Sequence, residues 1–600
     1  MQASGEALAL DPDALRKKYR EERDKRLRAD GNAQYVEMSG KFARLLEDPY
    51  VARIERAPLV EEVEVVVIGG GFGGLLAAAR LHAVGIDDIR IVEQAGDFGG
   101  TWYWNRYPGA QCDIESYIYL PLLEEVGYMP REKYSFAPEI LAHSQAIGRH
   151  YGLYDKACFQ TEVTGMRWDD AANRWIVHTD RGDRLAARFV CMSNGPLNRP
   201  KLPGVPGLES FRGHVFHTSR WDYAYTGGDS TGHLTGLSGK RVGIVGTGAT
   251  AVQCVPHVAE AAGHLYVFQR TPSSVDVRGN RPTDPAWANS LEPGWQRHRM
   301  QNFNILVTGG QQDEDLVNDG WTDIIRNLGV SSSARRAQGG QSPEAMAERM
   351  ELADFRKMEQ IRARVDAVVR DRATAEALKP WYRQFCKRPC FNDEYLAAFN
   401  RPNVTLVDTA DKGIERVTED GVVANGLAYS LDCLIFATGF EVGTAYTRRA
   451  GYEIIGRGGR TLSEKWAGGL RTLHGLQTHG FPNCFFMGAT QGGFTANFPH
   501  MLNEQSLHIA HILGHARQHN FCRVEASSAG EDEWVETIRR MAIFNQRFLT
   551  ECTPGYYNNE GRPESGNSFL GSQYGGGPEA FFALLKDWRD GGTPRGGGVR

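Results

Sequence analysis

Twice along this 600-residue chain an apolar run breaks on glycines and restarts at once as a small-residue helix. The first instance is VEVVVIGGGFGGLLAAARLHAVGIDDIRIVEQ, from Val63 to Gln94. The second is KRVGIVGTGATAVQCVPHVAEAAGHLYVFQRTP, beginning at Lys240. A buried strand that ends in GxGxxG and runs straight into a helix is the start of a βαβ unit. The first glycine makes the tight turn, the second lets backbone approach a pyrophosphate, and the third lets the helix pack closely on the strand. Phosphates then lie at the helix N-terminus, where free N–H groups and the helix dipole favour anions. The fold expected is α/β, with two Rossmann-like dinucleotide-binding domains.

The two units differ where it matters for the ligand. In the first, Gly69, Gly71 and Gly74 hold the three glycine places, with Phe72 inside the turn, and Glu93 closes the next strand. A carboxylate there accepts hydrogen bonds from a ribose diol. In the second, Gly246, Gly248 and Ala251 hold the three places, and Arg270 stands at the strand end. An acid would repel a 2′-phosphate at that position, whereas a guanidinium pairs with one. Thr247, Gly248, Ala249 and Thr250 are placed to cradle a pyrophosphate. One site suited to a plain ribose and one to a 2′-phosphate imply electron transfer between two cofactors, FAD in the first and NADPH in the second. The segment LDCLIFATGF agrees, since an ATG turn after a buried strand commonly closes a flavin-protein nucleotide domain.

Between these units the chain divides as a helical N-terminal extension (1–55), a first part of the FAD domain (56–210), and an inter-domain linker (211–235). An NADP domain (236–392) follows, with a helical insertion over about 280–380. A second part of the FAD domain with C-terminal loops (393–600) completes the chain. The segments NVTLVD, LDCLIFATGF and NCFFMGAT are expected to rejoin the first sheet, and PEAFFALLKDWRD to form a terminal helix. The linker opens on FRGHVFHTSRWD, Phe211 to Asp222, which reads as neither a helix face nor a strand.

Composition removes several alternatives. The net charge of −5 offers no basic footprint for nucleic acid and no polybasic patch for lipid. No apolar run approaches the roughly 20 residues that span a bilayer, and the N-terminus lacks a signal-peptide pattern. A cytoplasmic protein without nucleic-acid or membrane partners is expected. The ten cysteines are scattered with no CxxC pair, and reduced, buried thiols are expected in place of disulfides or a metal site.

Three motifs then point one way. The linker carries FxGxxxHxxxW followed by an acid, as Phe211, Gly213, His217, Trp221 and Asp222. The second motif is GGTWYWNRYPGAQCD, from Gly99 to Asp113, and the third is CKRPCFNDEYLAAFNRPNV, from Cys386 to Val404. Over roughly residues 55–560 the chain resembles the type I Baeyer–Villiger monooxygenases, single-chain enzymes of FAD and NADPH. It is most similar to the subgroup containing cyclopentadecanone monooxygenase. That resemblance implies insertion of an oxygen atom beside a ketone carbonyl, giving an ester or lactone from a large cyclic or polycyclic ketone. In the implied reaction NADPH reduces FAD, the reduced flavin takes up O2 as a C4a-peroxide, and the peroxide attacks the ketone. A monooxygenase of amines or sulfides is the alternative.

The resemblance also assigns roles. Arg388 is the fixed cation that stabilises negative oxygen, and Asp113 is the acid that holds it. Lys387, with Arg270 and Thr271, is a 2′-phosphate ligand. Thr101, Trp102, Tyr103 and Trp104 line the flavin, with Tyr119 a further contact. Tyr556, in CTPGYYNNEG, stands where many members carry a lid tryptophan, and its glycine and asparagine flanks suggest a mobile lid. His217 and Trp221 are expected to hold the linker and not to touch the ketone.

Overall fold

The computed structural model of the chain describes residues 10–36, 38, 40–327, 343–409, 412–542, 546–563, 573–591 and 597–599. Its core is two sheets, each containing the strands of one of the glycine units. In the first, the strand Val60–Ile68 pairs in parallel with Ile89–Val92 on one side and with Arg184–Met192 on the other. Val65, Val66 and Val67 are fully buried, because a parallel strand inside such a sheet is covered on both faces. An antiparallel meander, Val163–Asp169, Arg174–Thr179 and Arg184–Met192, extends this sheet. The helix Phe72–Ala83 leaves the first glycine turn and is buried along most of its length. Its small residues let the long helix Phe498–Gln518 pack into the same core.

The second sheet is wholly parallel, in the order Val404–Asp408, His264–Gln269, Arg241–Val245, Cys433–Phe436, His214–His217. This corrects two expectations. Val404–Asp408 and Cys433–Phe436 do not rejoin the first sheet; only Cys484–Phe486 does, against Arg184–Met192. The second sheet therefore continues past residue 392, and the ATG turn (Ala437–Gly439) follows its strand Cys433–Phe436. An apolar strand announces that it is buried but not which neighbour it pairs with, so the segment's hydrophobicity left this open. Second, FRGHVFHTSRWD is not irregular: His214–His217 is the edge strand of the second sheet, in register with Cys433–Phe436. Its partner lies far downstream, so no local alternation marks it.

Among its described residues the N-terminal extension has one α-helix, Pro12–Asp24, where the Asp11 side chain caps the first turn by accepting from the Asp13 and Ala14 amides. Tyr19 sets its ring edge-on to Phe355 of the insertion helix Pro343–Val368. The remainder of the extension is largely short turns, with Tyr35–Val36 pairing to Leu202–Pro203. The insertion is helical as expected over Pro285–Asn289, Trp295–Val307, Gly320–Asn327, Pro343–Val368 and Arg372–Leu378; its residues 328–342 lie outside the described set. The terminal helix spans Pro578–Asp590. Among the described residues no helix is long and apolar enough to cross a membrane.

One cysteine expectation is overturned. Cys386 and Cys552 form a disulfide across 166 residues, their Cα atoms 5.0 Å apart. Linear spacing carries no information about such a pair. The other eight cysteines are outside any disulfide, seven of them buried and Cys522 exposed.

Candidate functional site

A cavity of about 760 Å³ is lined by both glycine turns and by the residues that follow several strand ends. Ligands of doubly wound sheets gather at that end of the strands. The first turn is built as its spacing demands. Gly69 has φ +108°, and a Cβ there would lie 2.3 Å from the Ser193 carbonyl oxygen. A Cβ on Gly74 would lie 1.8 Å from the Gly69 carbonyl oxygen, so helix and turn meet only because the position is glycine. Gly71 and Phe72 line the cavity. At the second turn, Thr247, Gly248, Ala249 and Thr250 all face the cavity, and a Cβ on Gly248 would meet nothing within 4 Å. The open space beside that backbone fits a pyrophosphate.

Glu93 reaches the cavity from the end of its strand. One carboxylate oxygen accepts the Gly70 amide at 2.5 Å and the other accepts the Ala95 amide at 2.7 Å. Burial raises its pKa, against the pull of these amides. Each oxygen keeps lone-pair capacity for a ribose hydroxyl.

The turn Thr101–Trp104 contributes Thr101, Trp102 and Trp104 to the wall. The Trp102 indole donates to the Tyr119 hydroxyl at 3.1 Å, and Tyr119 lies in the wall. The Arg220 guanidinium stacks 3.5 Å from the Trp104 ring. Tyr103 is the exception. It points away, donating to Asp48 at 2.5 Å, with Arg106 4.3 Å over its ring. One helical turn cannot aim three successive aromatics at one ligand, and Tyr103 is the residue turned to the N-terminal extension.

Arg388 and Asp113 meet in a forked pair, 2.6 Å between Nη1 and Oδ2 and 2.9 Å between Nη2 and Oδ1. The arginine side chain stays 37% exposed while the acid is only 9% exposed. Burial pulls the Arg388 pKa down, but the charge and hydrogen bond of Asp113 outweigh it and hold it above the ordinary arginine value. Beside them, Lys387, Arg270 and Thr271 share the wall. Burial, then the charge of Arg270, push the Lys387 pKa down to about 8. Thr247 donates to the Thr271 carbonyl at 2.7 Å, tying the second turn to that group.

Tyr556 lines the cavity, and its segment is not a loose lid. The buried Asn558 amide donates to the carbonyls of Leu549, Cys552 and Thr553, and its oxygen accepts the Gly555 and Gly561 amides. The asparagines and glycines build a wired turn, stapled by Cys552 to the residue before Lys387.

The linker motif stays outside the cavity. His217 and Trp221 are 0% exposed. His217 Nδ1 lies 2.8 Å from the Ser219 hydroxyl and accepts the Ser219 amide at 3.2 Å. The Trp221 indole donates to Thr226 at 3.1 Å. Asp222 caps the next turn through the Tyr225 amide and pairs with His214 at 2.8 Å. Gly213 leaves room for the Phe211 ring, which a Cβ would approach to 2.4 Å.

Sequence reasoning missed Ser193, Asn194, Gln111, Lys201, Tyr557 and Glu560, all in the wall. Ser193 and Asn194 were findable, since they follow the strand Arg184–Met192. Lys201 and Glu560 carry no local signal.

Residues 67–126 match the model of an NAD(P)-binding Rossmann-like domain. The chain is 58% identical to neopentalenolactone D synthase of Streptomyces avermitilis, over 97% of this chain and 98% of that protein. It is 51% identical to a Baeyer-Villiger monooxygenase of Stachybotrys chlorohalonatus, over 98% and 95%. Among solved structures it superposes on a polycyclic ketone monooxygenase from Thermothelomyces thermophila with TM-score 0.91, at 41% identity and 98% and 99% coverage. A structure solved in complex with FAD and NADP matches with TM-score 0.74, at 27% identity and 91% and 100% coverage.

Proposed function

Because this chain belongs to the Baeyer–Villiger monooxygenases, we propose that it oxidises a large cyclic or polycyclic ketone, with Arg388 as the cation that the reaction depends on and Asp113 as its positioning partner. The chain is an NADPH- and O2-dependent flavoprotein monooxygenase that converts ketones to esters or lactones. FAD, once bound and reduced by NADPH, supplies the oxygen-transfer chemistry, and the protein supplies position and charge.

The residues divide that work. Gly69, Gly71 and Gly74 let backbone close on the FAD pyrophosphate, and Glu93 receives its ribose. Trp102 and Tyr119 form an apolar wall that keeps water from the reacting end. Thr247 to Thr250 receive the second pyrophosphate, while Arg270, Thr271 and Lys387 take the 2′-phosphate. Negative charge develops on oxygen as the ketone is attacked, and a fixed cation in a sheltered site stabilises it without reorganising. Arginine suits that place because it stays charged when half-buried. The forked contact with Asp113 fixes its plane. That contact, with the guanidinium facing the cavity, is the observation that carries this reading. His217 and Trp221, outside the cavity, serve as positioning residues at the domain junction.

The ketone class is supported by the likeness to a polycyclic ketone monooxygenase. The test is product analysis with NADPH, O2 and a panel of small-ring, macrocyclic and polycyclic ketones. Lactones are expected from the larger members; conversion confined to small rings would reject the substrate class. Oxidation of amines or sulfides with no ester or lactone from any ketone would reject the reaction.

A further inference from the structure

We propose that Glu560 is an internal anion that holds the 2′-phosphate cage until a phosphorylated coenzyme displaces it, so that filling of the cage is linked to the turn bearing Tyr556. This rests on the assignment of Arg270 and Lys387 to the 2′-phosphate.

Glu560 is 4% exposed, a burial a carboxylate accepts only among partners. Its partners are those of the cage. Arg270 Nη2 lies 3.5 Å from one carboxylate oxygen. Lys201 Nζ lies 3.8 Å from the other, to which the Tyr35 hydroxyl also donates at 3.3 Å. Lys387 faces the same space and is coupled by charge to both Arg270 and Glu560. These separations exceed the roughly 2.7–2.9 Å of a closed charge-assisted hydrogen bond. The carboxylate sits among the cations without closing on any of them, in a cage wider than itself.

A 2′-phosphate needs these same donors. It carries about −1.5 to −2 charge at neutral pH against −1 for the carboxylate, and two anions cannot share the donors without repulsion. The cations outnumber the acid, so the cage favours the dianion. A coenzyme with a bare 2′-hydroxyl has nothing with which to displace Glu560.

Where Glu560 sits gives the exchange a consequence. Its amide donates to the Gly555 carbonyl at 2.8 Å, within the turn that presents Tyr556 to the cavity. Its φ is +55°, a left-handed backbone uncommon for a residue other than glycine and held here by its surroundings. Release of the carboxylate removes one of the contacts that hold it. The anion on the coenzyme is thereby linked to the turn bearing Tyr556.

The test uses the FAD-loaded protein and calorimetric binding of two probes, adenosine 2′,5′-bisphosphate and adenosine 5′-monophosphate. Glu560→Gln is expected to tighten the bisphosphate about tenfold and to leave the monophosphate within twofold. Glu560→Gly, which relieves the backbone, should do the same, and the bound-flavin spectrum checks that each variant is folded. In the wild type, hydrogen exchange over residues 553–562 should rise with the bisphosphate and not with the monophosphate. Bisphosphate binding that is unchanged or weakened in both variants would overturn the proposal while leaving the cage assignment intact. A wild type that binds the bisphosphate no better than the monophosphate would overturn both.

Discussion

The Arg388 guanidinium and the Asp113 carboxylate meet through two contacts, of 2.6 and 2.9 Å, across 275 residues of chain. The arginine arrives from the end of the helical insertion and the acid from the first domain. A cation that follows the insertion is thus paired with an acid that follows the first glycine unit.

That relationship predicts a separation of steps. Arg388→Ala should retain FAD and flavin reduction by NADPH within about tenfold, while lactone formation falls by about 10²–10³, the usual loss when one charge-stabilising group is removed. Stopped-flow reduction and product yield read the two separately. Asp113→Asn keeps the shape but loosens the fork, and a smaller loss of lactone is expected. Unchanged lactone yield in Arg388→Ala rejects the assignment.

The glycine turns predict opposite tolerances for the same substitution. Gly74→Ala puts a Cβ 1.8 Å from the Gly69 carbonyl oxygen, so the turn must open, and the purified protein should lose most of its bound flavin. Gly248→Ala meets nothing within 4 Å, so FAD content should stay normal while NADP+ affinity falls. Flavin absorbance per protein decides the first, and a titration with NADP+ the second. Normal flavin content in Gly74→Ala would remove the packing argument.

His217 predicts a pH signature. Burial first, then the charge of Arg220, push its pKa down to about 3. Between that value and the ordinary value near 6.5 the unfolded chain binds a proton that the folded chain does not, so this group's contribution falls as pH falls. Stability of the wild type relative to His217→Asn should decline from pH 6.5 toward 3, by several kcal/mol at about 1.4 kcal/mol per unit. Urea melts of both proteins across that range measure it; a gap independent of pH would show that His217 protonates as freely folded as unfolded. His217→Ala should retain FAD but release more hydrogen peroxide per NADPH consumed.

The Cys386–Cys552 bond closes a long loop, and loops of that size give the larger entropic stabilisation. Cys552→Ser should lower stability by about 2–4 kcal/mol. The turn at residues 553–561 should become more open to protease, since it loses its tie to the residue before Lys387. Identical denaturant midpoints for wild type and variant, with the Cys386–Cys552 bond of the wild type confirmed by mass, would reject this.

Much of the site was legible because its chemistry is local. A glycine at a turn, an acid or arginine at a strand end, and an aromatic after them are spaced by backbone geometry, and the wall contains Gly69, Gly71, Glu93, Gly248 and Arg270 as that geometry requires. Tyr103 was misread because neighbours in one helical turn point in different directions. Glu560 and Lys201 were not readable at all, because neither lies in a local pattern and they meet only in the folded chain.

The sequence by itself determined two glycine-turn nucleotide-binding units and the family to which the chain belongs, since these depend on residues close together along the chain. Only the tertiary structure decided which sheet Val404–Asp408 and Cys433–Phe436 join, that His214–His217 is an edge strand, that Cys386 and Cys552 pair, and which acid occupies the basic cage. Each of these is a contact between segments far apart in sequence. Hydrophobic pattern and charge say that such a segment must find a partner, and packing of the whole chain selects which one.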